Sequence, residues 1–78
     1  MADMDTPRFR HEELRRARLT NGWSQQEVIV KLARAGLDLR METLGSWERG
    51  ETSPDADKLS ILAQVLGVRP SRLFTVDR

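Results

Sequence analysis

The chain has 78 residues, the size of one small domain, and 38% of them are hydrophobic. It has no cysteine and a single histidine, which excludes disulfides, thiol catalysis and zinc sites built from cysteine or several histidines. No apolar run exceeds three residues and the first seven residues are polar and acidic, so we expect neither a transmembrane segment nor a signal peptide. A cytoplasmic protein is the plain expectation.

The formal net charge is only +1, but the basic residues are concentrated in one part of the chain. Residues 8–49 carry nine basic and six acidic side chains, and eleven of the thirteen basic residues of the whole chain are arginine. Arginine forms forked hydrogen bonds with phosphate and guanine, which lysine does not. This bias is consistent with an anionic partner, although a solvated helical surface explains it equally well.

The first part of the chain is predicted to be a lead-in followed by a helix. Residues 1–7 have no hydrophobic periodicity and are predicted to be disordered. A first helix is expected from Arg8 or Phe9 to Asn21, because the following glycine tolerates the left-handed conformation that ends helices. Its predicted buried face consists of Leu14, Ala17 and Asn21.

A second helix has a clear start in the sequence. Ser24 is followed three residues later by Glu27, which matches a capping box, and Gly36 is expected to end the helix. Its apolar stripe consists of Val28, Ile29, Leu32 and Ala33.

A third helix is predicted from Arg40 to Arg49, with Gly50 as its stop signal. Leu44 and Trp47 are three residues apart and should both face the core. The opposite face of this helix would then be polar and exposed.

A fourth helix is expected to begin with Ser53 as the cap and Pro54 in the first helical position. Asp55 and Asp57 would lie in its first turn, where the helix dipole favours negative charge, and Gly67 would end it. Its core face would consist of Leu59, Leu62, Ala63 and Leu66.

A short fifth helix is expected around Pro70–Phe74, and no segment shows the alternation of a strand. The predicted fold class is therefore all-α, a bundle of five short helices. Residues 8–75 would form the domain, and residues 76–78 a C-terminal tail.

The order of these motifs resembles the lambda-repressor-like (Cro and phage-repressor, XRE-type) helix-turn-helix family. Residues 14–18 (LRRAR) and 22–28 (GWSQQEV) resemble the family's opening, and residues 43–50 (TLGSWERG) resemble the end of its recognition helix. The apolar spacing over residues 54–74 is similar to that of its fourth and fifth helices. The resemblance implies a five-helix bundle whose second and third helices form the helix-turn-helix.

One feature departs from the family pattern. The segment between Leu32 and Leu44 is longer than the tight turn that most members need. Either the second helix or the turn after it is elongated, and the angle at which the third helix would meet DNA depends on how the extra residues fold.

The resemblance assigns base contacts to one face of the third helix. Arg40 would bind guanine or phosphate, Glu42 would accept from a cytosine amino group, and Met41 would touch a thymine methyl group. Core packing is an equal alternative for Met41, and repulsion by phosphates weighs against Glu42. Gly45 would let the backbone approach the duplex. The implied base-reading set is Arg40, Met41, Glu42, Thr43 and Ser46.

The resemblance also implies phosphate contacts, which set register and affinity. Gln25 stands in the first turn of the second helix, where free N–H groups favour an anion, and its amide would also brace the recognition helix. Gln26 is better explained as a solvated helix former. The implied phosphate set is Arg10, Gln25, Gln26, Arg49, Thr52, Ser53 and Lys58.

Other residues are assigned to structure. Arg18 matches a family position that pairs with the glutamate of the Glu-Arg-Gly motif, here Glu48. Trp23 and Trp47 are expected to be buried, and His11 to be an exposed helix residue. A further apolar set marks either a partner surface or the edge of the core: Val30, Ile61 and Val65.

The expected function is that of a sequence-specific regulator that binds double-stranded DNA, most simply a repressor acting as a homodimer on a palindromic operator. The alternative is an antitoxin or another protein-binding module built on the same fold. We expect no enzyme, because no nucleophile stands near an oriented base and there is no phosphate-binding glycine loop or metal cluster. No cofactor, metal, membrane or small-molecule ligand is implied.

Overall fold

The computed structural model describes residues 7–76 of the chain. Its helices are α1 (His11–Thr20), α2 (Gln25–Arg34), α3 (Met41–Glu48), α4 (Ala56–Leu66) and α5 (Pro70–Leu73). Two short strands, β1 (Pro7–Phe9) and β2 (Phe74–Val76), flank the helices. The five helices confirm the predicted all-α bundle. Most of the predicted lead-in, residues 1–6, and most of the predicted tail, residues 77–78, lie outside the described residues.

The helices pack around one apolar core. α1 contacts α3 and α5, α2 contacts α3 and α4, and α4 contacts α5. Leu44 is fully buried and Trp47 is 4% exposed, so the predicted inward face of α3 is confirmed. Within residues 7–76, no helix is both long and apolar enough to cross a membrane. The remaining buried apolar side chains are Leu14, Ala17, Val28, Leu32, Leu37, Leu59, Leu62, Ala63, Leu66 and Leu73.

The two strands were not predicted from the sequence. β1 and β2 pair in antiparallel register, with Phe9 opposite Phe74, and the N–H of Arg10 donates to the carbonyl of Leu73 over 2.7 Å. Residues 7–9 are therefore extended, and α1 begins at His11 and not at residue 8 or 9. Pro7 and Val76, which the sequence analysis places in the lead-in and in the tail, belong to this pair of strands.

The start of α4 also differs from the prediction. Asp55 is its N-cap and accepts a hydrogen bond from the N–H of Lys58 over 2.9 Å, so Ser53 and Pro54 precede the helix. Both Ser53 and Asp55 satisfy the cap pattern locally, and a carboxylate makes the stronger, charge-assisted bond to the helix N–H groups. The capping box at the start of α2 is confirmed.

The elongated connection of the helix-turn-helix lies after α2 and not within it. α2 ends at Arg34, and residues 35–40 join it to α3. Leu37 anchors this connection, because its side chain is 9% exposed and its N–H donates to the carbonyl of Leu32 over 2.9 Å. Leu37 thus holds this otherwise mostly exposed connection to the core.

A hydrogen-bonded turn after α3 directs the following residues back alongside this helix. The N–H of Gly50 donates to the carbonyl of Trp47 over 3.1 Å, and that of Glu51 donates to the carbonyl of Ser46 over 2.9 Å. This is the Schellman arrangement, and it requires the left-handed conformation of Gly50, whose φ is +77°. Glu51 is thereby fixed beside the last turn of α3.

Candidate nucleic-acid interface

α3 has one buried side and one exposed side. Since a helix advances about 100° per residue, Glu42, Ser46 and Arg49 point away from the side defined by Leu44 and Trp47. Glu42 and Arg49 are exposed, and Ser46 is half-buried. The polar side of this helix is therefore available to a partner.

Met41, at the start of α3, lies between these two sides. Its side chain is 43% exposed, so the alternative of core packing across the elongated connection does not describe it fully. Thr43 is half-buried, whereas Arg40, the N-cap residue of α3, is exposed. Neither Arg40 nor Glu42 forms an ion pair with the rest of residues 7–76.

An ion pair holds the back of α3 to α1. The guanidinium of Arg18 donates from Nε to Oε2 of Glu48 over 2.7 Å and from Nη2 to Oε1 over 2.9 Å. Its Nη1 donates to the carbonyl of Trp23 over 3.0 Å. The hydrogen bond with Glu48 raises the pKa of Arg18 above its ordinary value. The structure thus contains the pair that the resemblance implied.

Gln25 joins α2 to the same carboxylate. Its side-chain amide donates to Oε1 of Glu48 over 3.2 Å, which ties the first turn of α2 to the last turn of α3. The backbone N–H groups of Gln25 and Gln26 have no acceptor in the part of the chain that the structure describes. Together with the positive end of the helix dipole, they make the start of α2 suitable for a phosphate oxygen.

The residues after α3 form a network of polar contacts. The hydroxyl groups of Ser46 and Thr52 are hydrogen-bonded at 2.8 Å. Arg49 donates to Glu51 from Nε over 2.9 Å and from Nη2 over 3.1 Å, which lowers the pKa of Glu51 and raises that of Arg49. Lys58 donates from Nζ to Asp55 over 3.1 Å, whereas Ser53 is exposed.

Two sequence-based expectations fail at this surface. Gly45 does not leave the backbone of α3 open to a duplex, because a Cβ placed on it would lie 3.0 Å from Nη1 of Arg49. The space next to Gly45 is therefore filled by the Arg49 side chain. His11 is not a freely exposed helix residue: its Nδ1 lies 3.1 Å from the carbonyl oxygen of Glu48, and its ring packs against Gly50.

Within residues 7–76, Arg10 forms no hydrogen bond or ion pair with the other predicted phosphate contacts. Its guanidinium lies 3.6 Å from the carboxylate of Glu13, and its side chain lines a cavity of about 360 Å³ with Gly67, Arg69 and Arg72. This cavity is at the C-terminal end of α4, about 14 Å along the helix from Lys58 at its start. The Arg10 side chain thus lines a different cavity from the one that Ser53 lines.

The remaining aromatic and apolar predictions are met in part. Trp47 is buried, but Trp23 is half-buried, and Nζ of Lys31 lies 4.4 Å from the centre of its ring. Ile61 and Val65 are partly buried and pack against the core, as expected for its edge. Val30 is 43% exposed. Within residues 7–76, no three acidic, histidine or cysteine side chains are grouped so as to hold a metal ion.

Comparison with known proteins supports this arrangement. The model of a family described as helix-turn-helix matches residues 14–73, which include all of α2, α3 and α4 and the connections between them. Searches of curated proteins and of solved structures gave no significant match. The family match covers more than half of the chain and agrees with the order of its helices. The chain therefore belongs to the lambda-repressor-like helix-turn-helix family of DNA-binding transcription regulators.

Proposed function

We propose that the protein binds specific double-stranded DNA sequences through α3, which lies in the major groove, and that it represses transcription from the promoters it covers. The observation that carries this proposal is the anchoring of α3. Leu44, Trp47 and the Arg18–Glu48 pair fix its back to the core, while its opposite side remains exposed. A rigid helix with a polar outer side is what recognition in the major groove requires.

The base contacts would come from the exposed side of α3 and its first turn. Arg40 is exposed and without an ion pair within residues 7–76, so its fork can turn toward a guanine. Glu42 would accept from a cytosine amino group, and Met41 would contact a thymine methyl group. Thr43 and Ser46 would contribute hydroxyl groups to the same surface.

The phosphate contacts would lie on either side of α3. The N–H groups and amides of Gln25 and Gln26 would bind one phosphate at the start of α2. Thr52, Ser53 and Lys58 would hold the backbone near the start of α4. We leave Arg10 out of this surface because its side chain lines a cavity with Gly67, Arg69 and Arg72.

We propose a homodimer on a palindromic operator, since a single α3 presents few side chains to the bases. Two copies would read half-sites about 34 Å apart along the helix axis. A dimer of this size that overlaps a promoter would repress by occlusion, which needs no contact with the polymerase.

Selection of bound sequences from random duplexes tests the proposal, followed by affinity measurements at several salt concentrations. We expect an enriched palindromic site, and a fall in log affinity that is linear in log salt concentration. Arg40→Ala should weaken binding to that site by about 5- to 150-fold if it contacts a base. Arg69→Ala is the matched control, because Arg69 is exposed and lies at the far end of α4.

Two results would contradict the proposal. No enrichment of any sequence would mean that the protein does not read bases. If Arg40→Ala and Arg69→Ala reduce the affinity for the selected site equally, α3 does not contact the bases through Arg40.

A further inference from the structure

We propose that Arg49 reads a guanine in the operator and that Glu51 holds its guanidinium in position for this contact. The proposal rests on the proposed function and adds one residue to its base-reading surface. The family resemblance assigns Arg49 a phosphate contact, whereas its position in this chain favours a base.

The first argument is where the guanidinium lies. Arg49 follows Glu42 by seven residues, which places both on the exposed side of α3. Its side chain does not extend beyond the helix end but lies back along the helix, since a Cβ on Gly45 would be 3.0 Å from Nη1. Gly45 thus provides the space in which the guanidinium sits, on the same side of the helix as Ser46.

The second argument is which hydrogen atoms remain free. Glu51 accepts from Nε over 2.9 Å and from Nη2 over 3.1 Å, and so occupies one edge of the guanidinium. Arginine has five N–H donors, so both hydrogens of Nη1 and one of Nη2 remain. This pair of nitrogens forms the terminal fork, which matches O6 and N7 of guanine in the major groove.

The third argument is that Glu51 is itself held in place. Its N–H donates to the carbonyl of Ser46 over 2.9 Å in the turn that ends α3. The pKa of its carboxyl is lowered mainly by Arg49 and to a smaller degree by the Ser46 hydroxyl, so the group stays ionised. An arginine fixed in this way loses less conformational freedom when it binds a base.

Charge argues against a phosphate contact. The Arg49–Glu51 pair is neutral overall, so it provides little attraction for the DNA backbone and releases no net counterion. A carboxylate beside a phosphate would also be repelled. Next to a base edge, the same carboxylate orients the fork at a smaller electrostatic cost.

The test uses the full chain and the duplex enriched by selection. Each base pair of the site is replaced in turn, and affinities are measured for the wild type, Arg49→Ala and Glu51→Ala, with Arg69→Ala as the control. We expect Arg49→Ala to abolish the preference for guanine at one position of each half-site, so that the affinity ratio between guanine and the other bases falls by about 5- to 150-fold there. The base preferences at the other positions should stay unchanged. Replacing that guanine by 7-deazaguanine should weaken the wild type but not Arg49→Ala.

Glu51→Ala separates the two roles further. Removing a carboxylate near DNA should tighten binding to unrelated duplexes, yet the preference at the same guanine should decrease. If Arg49→Ala instead weakens all duplexes uniformly and reduces the salt slope by about one, Arg49 binds phosphate and the inference is wrong. A wild type without any sequence preference would refute the proposed function itself, whereas a retained guanine preference in Arg49→Ala refutes only this inference.

Discussion

Arg18 and Glu48 are 30 positions apart in the sequence and are joined by two hydrogen bonds of 2.7 and 2.9 Å. Both side chains are nearly buried, at 11% and 4% exposure. Because Gln25 donates to the same carboxylate, Glu48 connects α1, α2 and α3 at one point. The orientation of α3 relative to the start of α2, and hence of base contacts relative to phosphate contacts, depends on this carboxylate.

Removal of one partner of the Arg18–Glu48 pair should strongly destabilise the fold. Glu48→Ala leaves the Arg18 guanidinium buried without its counter-ion, and we expect a loss of about 3–5 kcal/mol in the free energy of unfolding. Urea denaturation followed by circular dichroism measures it. Arg15→Ala is the control, because Arg15 is an exposed arginine on the same helix.

The double substitution Arg18→Met/Glu48→Leu tests the cause. Replacing both charges by apolar groups removes the unpaired ion, so most of the lost stability should return. A double variant as unstable as Glu48→Ala would show that packing, and not the unpaired charge, explains the loss.

Gly50 should tolerate substitution less well than a glycine in the same backbone conformation elsewhere. At Gly50 the φ is +77°, and a Cβ would lie 2.7 Å from Cδ2 of His11. At Gly22 the φ is +73°, and a Cβ would meet nothing within 4 Å. Gly22→Ala should therefore cost only the backbone strain of about 1–2 kcal/mol, and Gly50→Ala about 1–3 kcal/mol more from the overlap with the imidazole.

We expect the imidazole to cause this difference, and thermal unfolding in a His11→Ala background tests it. Without the ring, Gly50→Ala and Gly22→Ala should lower the free energy of unfolding by similar amounts. A persistent excess at Gly50 would assign the cost to the turn alone.

Acid should destabilise the start of α2. The N–H of Ser24, and then its hydroxyl, lower the pKa of Glu27 below its usual value of 4.5. A carboxyl with a lowered folded pKa contributes stability above its unfolded pKa, and this contribution is lost as the pH falls through the folded value. In Glu27→Gln, which keeps an acceptor for the Ser24 N–H, the loss of stability between pH 7 and pH 3 should be smaller than in the wild type.

Glu51 and Asp55 have pKa values lowered by their own partners, so part of the acid dependence should remain in Glu27→Gln. The variant should be less stable than the wild type at pH 7, and this difference should shrink as the pH falls through the folded pKa of Glu27. If the wild type and Glu27→Gln lose the same amount of stability between pH 7 and pH 3, the capping box does not form in solution.

The parts of the fold that were predicted from sequence depend on neighbouring residues. The cap at Ser24 was predicted because its partner Glu27 is three residues away. The cap of α4 was misassigned because Ser53 and Asp55 both fit the local rule, and only their hydrogen bonds distinguish them. The pairing of β1 with β2 joins strands of three residues from opposite ends of the chain, for which no local pattern exists.

The same distinction applies to the site. The Arg18–Glu48 pair was implied because it belongs to a family motif. The contact of His11 with the carbonyl of Glu48 and with Gly50 has no such motif and depends on how α1 packs against α3. The position of Arg49 could not be predicted either, because it results from Gly45 and Glu51 acting together.

Substitution of Gly45 by alanine should stabilise the fold and at the same time weaken the preference for guanine. This glycine lies in the middle of α3 with an ordinary helical conformation, so Gly45→Ala should raise the free energy of unfolding by about 1 kcal/mol. The new Cβ would lie 3.0 Å from Nη1 of Arg49, and this exposed side chain can move away by a few tenths of an ångström. That movement should disturb the fork and weaken the guanine preference.

Ser60→Ala provides the matched control for Gly45→Ala. Ser60 is exposed within α4, so alanine should stabilise this helix slightly without touching Arg49. Thermal unfolding and the base-by-base affinity series are measured on both variants. We expect both to be more stable than the wild type and only Gly45→Ala to lose preference at the position read by Arg49. If Gly45→Ala keeps the full preference, the space beside Gly45 is not what positions the guanidinium, and Glu51 alone must orient it.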